Sequence, residues 1–312
     1  MNTINKKNFF SVLGLIIFLG ITLSDYKPAE GIALLDAIGI ISLDDLNFHS
    51  IRGLGAITMF LPSFIYSNIL INLNFDNFNL LSVVISCLII YKYFLRCASI
   101  SFFFLLLFLL IPAIFLSLPI FCKEFIFITF LYLFVYNYPY YKKKYLFLYL
   151  FFRPHYFFLL YFFSSNKKKI LYGFLLILII FNDQFYSLLI DLIYRKNFYL
   201  FNELIYYSNT QFKLLDFSYE NFTGLILNYL YTLLQVHFSI FFFEINIKII
   251  YFQIYIIIIY ILIFYNFNIF SKILFFCIFF FTLIDVDLGQ YLRHLSSFFL
   301  FFPLILFKNE KN

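Results

Sequence analysis

Three short clusters carry the side chains that chemistry needs, and each lies inside or at the edge of an apolar run. Lys123-Glu124 opens the run 125–141, shortly after Pro119. Glu124 there can act as a base or bind a hydroxyl from a water-filled cavity, with Lys123 beside an anionic phosphate. The structural alternative is a carboxylate placed to meet the N–H groups and dipole of a helix start. Arg153-Pro154-His155 stands at the centre of the 19-residue run 145–163. Proline breaks a helix and frees backbone carbonyls, and such a break persists at membrane depth only against protein or a cavity. An ionisable side chain in hydrocarbon costs at least ~2.5–3.5 kcal/mol, so Arg153 is the most expensive single feature of the chain. It reads as a functional residue, the alternative being an arginine that snorkels or pairs helices. The third cluster packs six polar side chains into ten residues, Asp285-Val286-Asp287-Leu288-Gly289-Gln290-Tyr291-Leu292-Arg293-His294. On a helix, Asp287, Tyr291 and His294 fall at i, i+4 and i+7 on one stripe with Arg293 on the neighbouring face. A solvated loop needs no such spacing, so the cluster predicts a lined pocket.

Other candidates are weaker. Asp44-Asp45 could bind a sugar or a metal, but an acidic pair on a surface helix is ordinary. His49, His155, His237 and His294 show neither HxxxH nor HxH spacing, so no metal site is expected. Cys87, Cys97, Cys122 and Cys277 lack CxxC spacing and read as packing residues. Asn221-Phe222-Thr223 fits a glycosylation sequon by chance in an Asn-rich chain. Phosphate loops and a serine nucleophile elbow are absent from the sequence, which leaves nucleotide hydrolysis and serine hydrolysis without residues to rest on.

The elements that must position these clusters follow from composition. The chain has 312 residues, of which 64% are hydrophobic and 12% charged. A soluble domain carries roughly 25% charged residues, so the composition predicts an all-α polytopic integral membrane protein, with 1–312 as a single transmembrane domain. The 52 Phe and 27 Tyr beside no Trp suggest AT-rich codon bias, which makes aromatic abundance a poor functional clue. Apolar runs at 9–23, 56–73, 80–95, 98–121, 125–141, 145–163, 170–193, 223–243, 249–265, 273–284 and 295–307 predict about ten to eleven transmembrane helices. Two polar intervals separate them, an amphipathic loop at 24–54 and a second loop at 194–222. The first run, after Lys6 and Lys7, lacks a small-x-small cleavage site and reads as an uncleaved anchor.

Most of the 22 Lys and Arg lie between apolar runs and read as determinants of topology. They come in threes at membrane edges and form no continuous basic stripe, so nucleic acid is not an expected partner. Counting every run as a crossing from an inside N-terminus leaves only 8 of them inside, against the positive-inside rule. If one run before Lys92 is re-entrant, or the N-terminus is outside, the tally becomes 13 inside and 8 outside. Both corrections place Lys123-Glu124 and 285–294 on the outer face. A run 145–163 that dips in and returns would move 285–294 to the other side.

Taken in order, Lys123-Glu124, Arg153-Pro154-His155-Tyr156 and Asp287-x-Gly289-Gln290-Tyr291-x-Arg293-His294 resemble the Wzy-type polymerases of bacterial O-antigen and capsular polysaccharide. The resemblance covers roughly residues 110–305, and Gln290 departs from it where an Arg would complete the pattern. It implies a GT-C-like helical fold in the bacterial inner membrane. The implied enzyme is a glycosyltransferase that polymerises undecaprenyl-pyrophosphate-linked repeat units at the periplasmic face. A second lipid-linked unit would be the acceptor, a chain-length-regulating partner is implied, and no cofactor is needed. A sugar hydroxyl attacks the anomeric carbon as the lipid pyrophosphate leaves, so the site needs cations on the leaving group and a base on the nucleophile. Lys123, Arg153 and Arg293 become candidates for the pyrophosphate, with Tyr291 lining the glycan. Glu124, Asp287 and His294 become candidates for the acceptor hydroxyl, with His155 orienting or donating.

Two other readings stay open. A GT-C transferase using a polyprenyl-phosphate sugar would place its acid in the first outer loop, where Asp44-Asp45 stands. A flippase or transporter for the lipid-linked glycan would be expected to show an internal repeat, and the halves show no clear self-similarity.

Overall fold

The computed structural model of the chain describes residues 3–22, 75–97, 111–116, 118–119, 123–136, 158–164, 166–172, 212–213, 215, 222–285 and 287–306. Of this part 86% is helical, and no strand occurs among the described residues. Asp44, Asp45, His49, Arg153, Pro154, His155, Asn221, the run 56–73 and all of the run 170–193 after Tyr172 lie outside them. The contacts divide the chain into two compact units. One is Met1–Leu160 with Phe299–Pro303, and the other is Tyr161–Phe298 with Leu304–Asn312.

The first unit holds α1 (Thr3–Thr22), α2 (Phe75–Cys97) and α3 (Lys123–Tyr136). α1 packs along α2, burying Ser11, Gly14 and Phe18 at i, i+3 and i+7 while Phe9, Val12 and Ile16 stay exposed. A Cβ on Gly14 would stand 2.4 Å from the Phe94 ring, so the crossing depends on a residue without a side chain. α2 buries Ser82 and Ser86 and exposes Leu80, Leu81, Val84 and Leu88. Ser86 donates to the Leu118 carbonyl at 2.8 Å, and Arg96 donates through Nη1 to the Val135 carbonyl at 3.2 Å. The second bond satisfies one of the carbonyls that the end of α3 leaves without a partner inside the helix.

The second unit holds α4 (Phe222–His237), α5 (Ile247–Tyr265), α6 (Ile269–Ile284) and α7 (Leu288–Ser296). α5 and α6 start earlier than their apolar runs because asparagines cap them. Asn246 Oδ1 accepts from the amides of Lys248 (2.9 Å) and Ile249 (3.1 Å), and Asn268 Oδ1 from those of Phe270 (2.9 Å) and Ser271 (3.1 Å). The amide groups of Asn266 and Asn268 donate to the carbonyls of Ile305 and Leu304, at 2.7 and 3.0 Å. α6 packs against α4, α5 and α7 and so positions the polar cluster that follows it.

On α4 the usual polarity of a water-facing helix is reversed. Asn228, Thr232 and Gln235 are buried at i, i+4 and i+7, and Ile226, Leu227, Leu230 and Leu234 are exposed.

Among the described residues one helix, the 19-residue α5, is long and apolar enough to cross a membrane. Ser11–Gly20, Glu124–Val135 and Ile269–Ile284 are shorter apolar helices. Two runs expected to be single crossings are broken. The run 223–243 divides at Phe238 into α4 and the short helix Ser239–Phe242. The run 295–307 comprises the end of α7, a 3-10 turn at Phe299–Phe301 and the short helix Phe302–Leu306.

Candidate functional site

The late polar cluster is a folded unit built on a nine-residue helix. α6 ends at Ile284, and Asp285 follows in extended conformation as its C-cap. Asp287 is also extended and caps the next helix, its Oδ1 accepting from the Gln290 amide at 2.8 Å. Gly289 leaves room for that carboxylate, because a Cβ there would lie 2.9 Å from Oδ1. Leu288, Tyr291, His294 and Leu295 form the buried stripe of α7. Arg293 and His294 occupy its last turn, where positive charge complements the helix dipole.

The carboxylate that meets His294 is Asp285. His294 Nδ1 lies 2.7 Å from Asp285 Oδ1, with Asp285 2% and His294 7% exposed. A carboxylate only accepts, so Nδ1 carries the hydrogen and the ring is held in the tautomer whose Nε2 bears the lone pair. Nε2 is buried, so only a group that reaches it inside the fold could give up a proton there; the carboxylate would then stabilise the imidazolium, which is the logic of a histidine base oriented by an acid. The Phe281 ring lies 5.6 Å from the imidazole and closes one side of it. Asp285 Oδ2 is buried and has no hydrogen-bond partner among the described residues.

Asp287 stands outside the helical stripe, at the N-cap of α7. Its carboxyl is pushed above the usual carboxylate range by burial, and the negative charge of Asp285 adds to the shift. The amides of Gln290 and Gly289 and the Arg293 cation oppose it. Tyr291 is fully buried, and its hydroxyl donates to the Ile278 carbonyl at 3.1 Å, which also accepts from Thr282 at 2.8 Å. It ties α7 to α6 and holds the turn that carries Asp285. Arg293 is half-buried.

In the first unit Glu124 lies in the first turn of α3 and is buried, with Lys123 as the first residue of that helix. Arg153 and His155 lie outside the described residues. No three of His, Cys, Asp and Glu gather closely enough to hold a metal ion among the described residues.

Two polar networks of the second unit are not signalled by any sequence motif. Gln235 grips one residue of a non-helical segment by both backbone groups. Its Oε1 accepts from the Lys213 amide at 2.7 Å, and its Nε2 donates to the Lys213 carbonyl at 2.6 Å. Two turns earlier, Asn228 Oδ1 accepts from the Leu215 amide at 2.8 Å. The amides that look like interruptions of an apolar run thus satisfy backbone that has no helix of its own. In the other network His237 Nδ1 donates to the Leu233 carbonyl at 2.7 Å, and Nε2 accepts from the Tyr260 hydroxyl. Gln253 continues it, donating to the His237 carbonyl at 2.8 Å and accepting from Ser239 at 2.9 Å. The only legible signal for these groups is that amides and a histidine stand within or beside runs of Leu, Ile and Phe.

Compared with protein-family models, with curated proteins and with solved structures, the chain matches none.

Proposed function

We propose that this chain is a polytopic inner-membrane glycosyltransferase of about ten to eleven spans with a GT-C-like fold. It polymerises undecaprenyl-pyrophosphate-linked oligosaccharide repeat units into O-antigen or capsular polysaccharide at the periplasmic face. The membrane part is supported by the composition, by α5, and by helices that bury serine and amide side chains while exposing leucines, the polarity that lipid favours.

The observation that carries the enzymatic part is the buried Asp285–His294 pair at 2.7 Å, one residue from Arg293, at the end of an apolar helix. In the reaction, the acceptor hydroxyl attacks the anomeric carbon of the donor and the bond to the lipid pyrophosphate breaks. His294 takes the hydroxyl proton at Nε2, Asp285 stabilises the imidazolium, and Arg293 stabilises the charge developing on the pyrophosphate. Asp287 and Tyr291 hold the helix that presents these groups. Lys123, Glu124, Arg153 and His155 enter through the sequence resemblance, as cations for the leaving group and partners of the acceptor hydroxyl.

Purified protein in proteoliposomes, supplied with one lipid-linked repeat unit, should convert it to a ladder of longer glycans with release of undecaprenyl pyrophosphate. Asp285→Asn and His294→Ala should abolish the ladder. A ladder that both variants still make would remove the pair from the chemistry. Addition of a single sugar from a polyprenyl-phosphate donor would replace polymerisation with the transferase reading.

A further inference from the structure

Residues 125–182 contain seven cations, Lys142–Lys144, Arg153 and Lys167–Lys169, and no Asp or Glu. The last three are described, and all are exposed at the start of a helix over 167–172. Cations in a first turn oppose the helix dipole, a modest cost that a negative charge outside the helix would offset. Among the described residues no ion pair supplies one, and Lys167 Nζ instead lies 6.0 Å from the Tyr161 ring. Successive residues on a helix are about 100° apart, so the three lysines ring the helix start instead of forming a stripe. One turn further, roughly 6 Å along the axis, Leu171 and Tyr172 are exposed, Tyr172 by 66%. A ring of ammonium groups above an exposed apolar and aromatic turn matches the level where headgroups meet hydrocarbon. A soluble anion would match the lysines alone and would leave Leu171 and Tyr172 in water.

We infer that Lys167, Lys168 and Lys169, with Tyr161, Leu171 and Tyr172, form a docking surface for anionic phospholipid. The lysines meet the lipid phosphates, and the apolar turn packs against the upper acyl chains. The inference rests on the membrane part of the reading above and not on the polymerase chemistry. Each lysine near an anionic surface is worth roughly a five-fold change in binding, or about a hundred-fold for all three.

The test is a titration of the full-length, detergent-solubilised protein with phosphatidylglycerol or phosphatidylcholine, followed by native mass spectrometry. It compares wild type with the triple variants Lys167→Gln/Lys168→Gln/Lys169→Gln and Lys167→Arg/Lys168→Arg/Lys169→Arg. Wild type and the arginine variant should hold phosphatidylglycerol alike and prefer it to phosphatidylcholine. The glutamine variant should bind it about a hundred-fold more weakly while melting at the wild-type temperature in phosphatidylcholine. Equal binding of phosphatidylglycerol by wild type and the glutamine variant would overturn the inference. So would displacement of the lipid by inorganic phosphate, which would mark a free-anion site. The glutamine variant keeps every residue assigned to glycosyl transfer. A failed titration therefore leaves the polymerase reading intact, and a failed polymerase assay leaves the titration intact.

Discussion

In the proposed reaction His294 and Asp285, 2.7 Å apart, act as one device: the imidazole takes the proton and the carboxylate fixes its tautomer and balances its charge. Their variants should therefore be non-additive. Asp285→Asn and His294→Ala should each lower turnover by roughly 10²–10⁴-fold, and the double variant should be little worse than either. Turnover of the lipid-linked substrate in proteoliposomes measures this, and losses that multiply would separate the two residues. Asp287 should respond in stability instead. Asn caps helices as well as Asp does, so Asp287→Asn keeps the bond to the Gln290 amide, whereas Asp287→Ala loses about 1 kcal/mol. The Asp287 carboxyl is raised in the folded protein, so its protonated form is favoured there. Its contribution to stability is complete below the ordinary carboxylate range and is lost as pH rises through the raised value. Asp287→Asn should thus be more stable than wild type at neutral pH, and the gap should close on acidification. Melting curves at the two pH values decide it.

The helices owe their positions to small and polar side chains at contacts that apolar patterning does not reveal. Gly14 lets α1 approach the Phe94 ring, and Gly14→Val should lower the melting temperature by loosening the α1–α2 contact, an overpacking cost of about 1–3 kcal/mol. Adding Phe94→Ala should restore part of the loss, and a double variant no better than Gly14→Val would contradict this contact. In the second unit, Gln235→Leu leaves the Lys213 amide and carbonyl without their side-chain partner. Tryptic cleavage after Lys213, an exposed residue, should accelerate in the variant while cleavage at Lys248 stays constant.

These elements also mark what was legible beforehand. The helical character, the body of α5 and the shared face of Tyr291 and His294 on the short helix follow from periodicity, whereas Asp287 stands before that helix as its cap. That His294 pairs with Asp285 does not follow, because both aspartates sit in extended backbone where helical spacing no longer applies. The buried role of Asn228 and Gln235 was hidden because their partners are backbone groups of a segment 13 and 22 residues away. The breaks at Phe238 and after Ser296 were hidden for a different reason: Phe and Leu are equally at home in one long helix or two short ones.

For the whole molecule, composition and inverted helix polarity argue for lipid as the solvent, and the proposed chemistry rests on one carboxylate–imidazole pair in a buried turn. Deleting the gene in its own host and analysing the surface glycan by gel and mass spectrometry tests both together. Complementation would use wild type, His294→Ala and Arg293→Ala. The account predicts a core capped by a single complete repeat in the deletion strain, with the ladder restored by wild type and by neither variant. A ladder whose repeats lack one sugar would contradict polymerisation in favour of a transferase, and loss of all glycan beyond the core would contradict it in favour of transport.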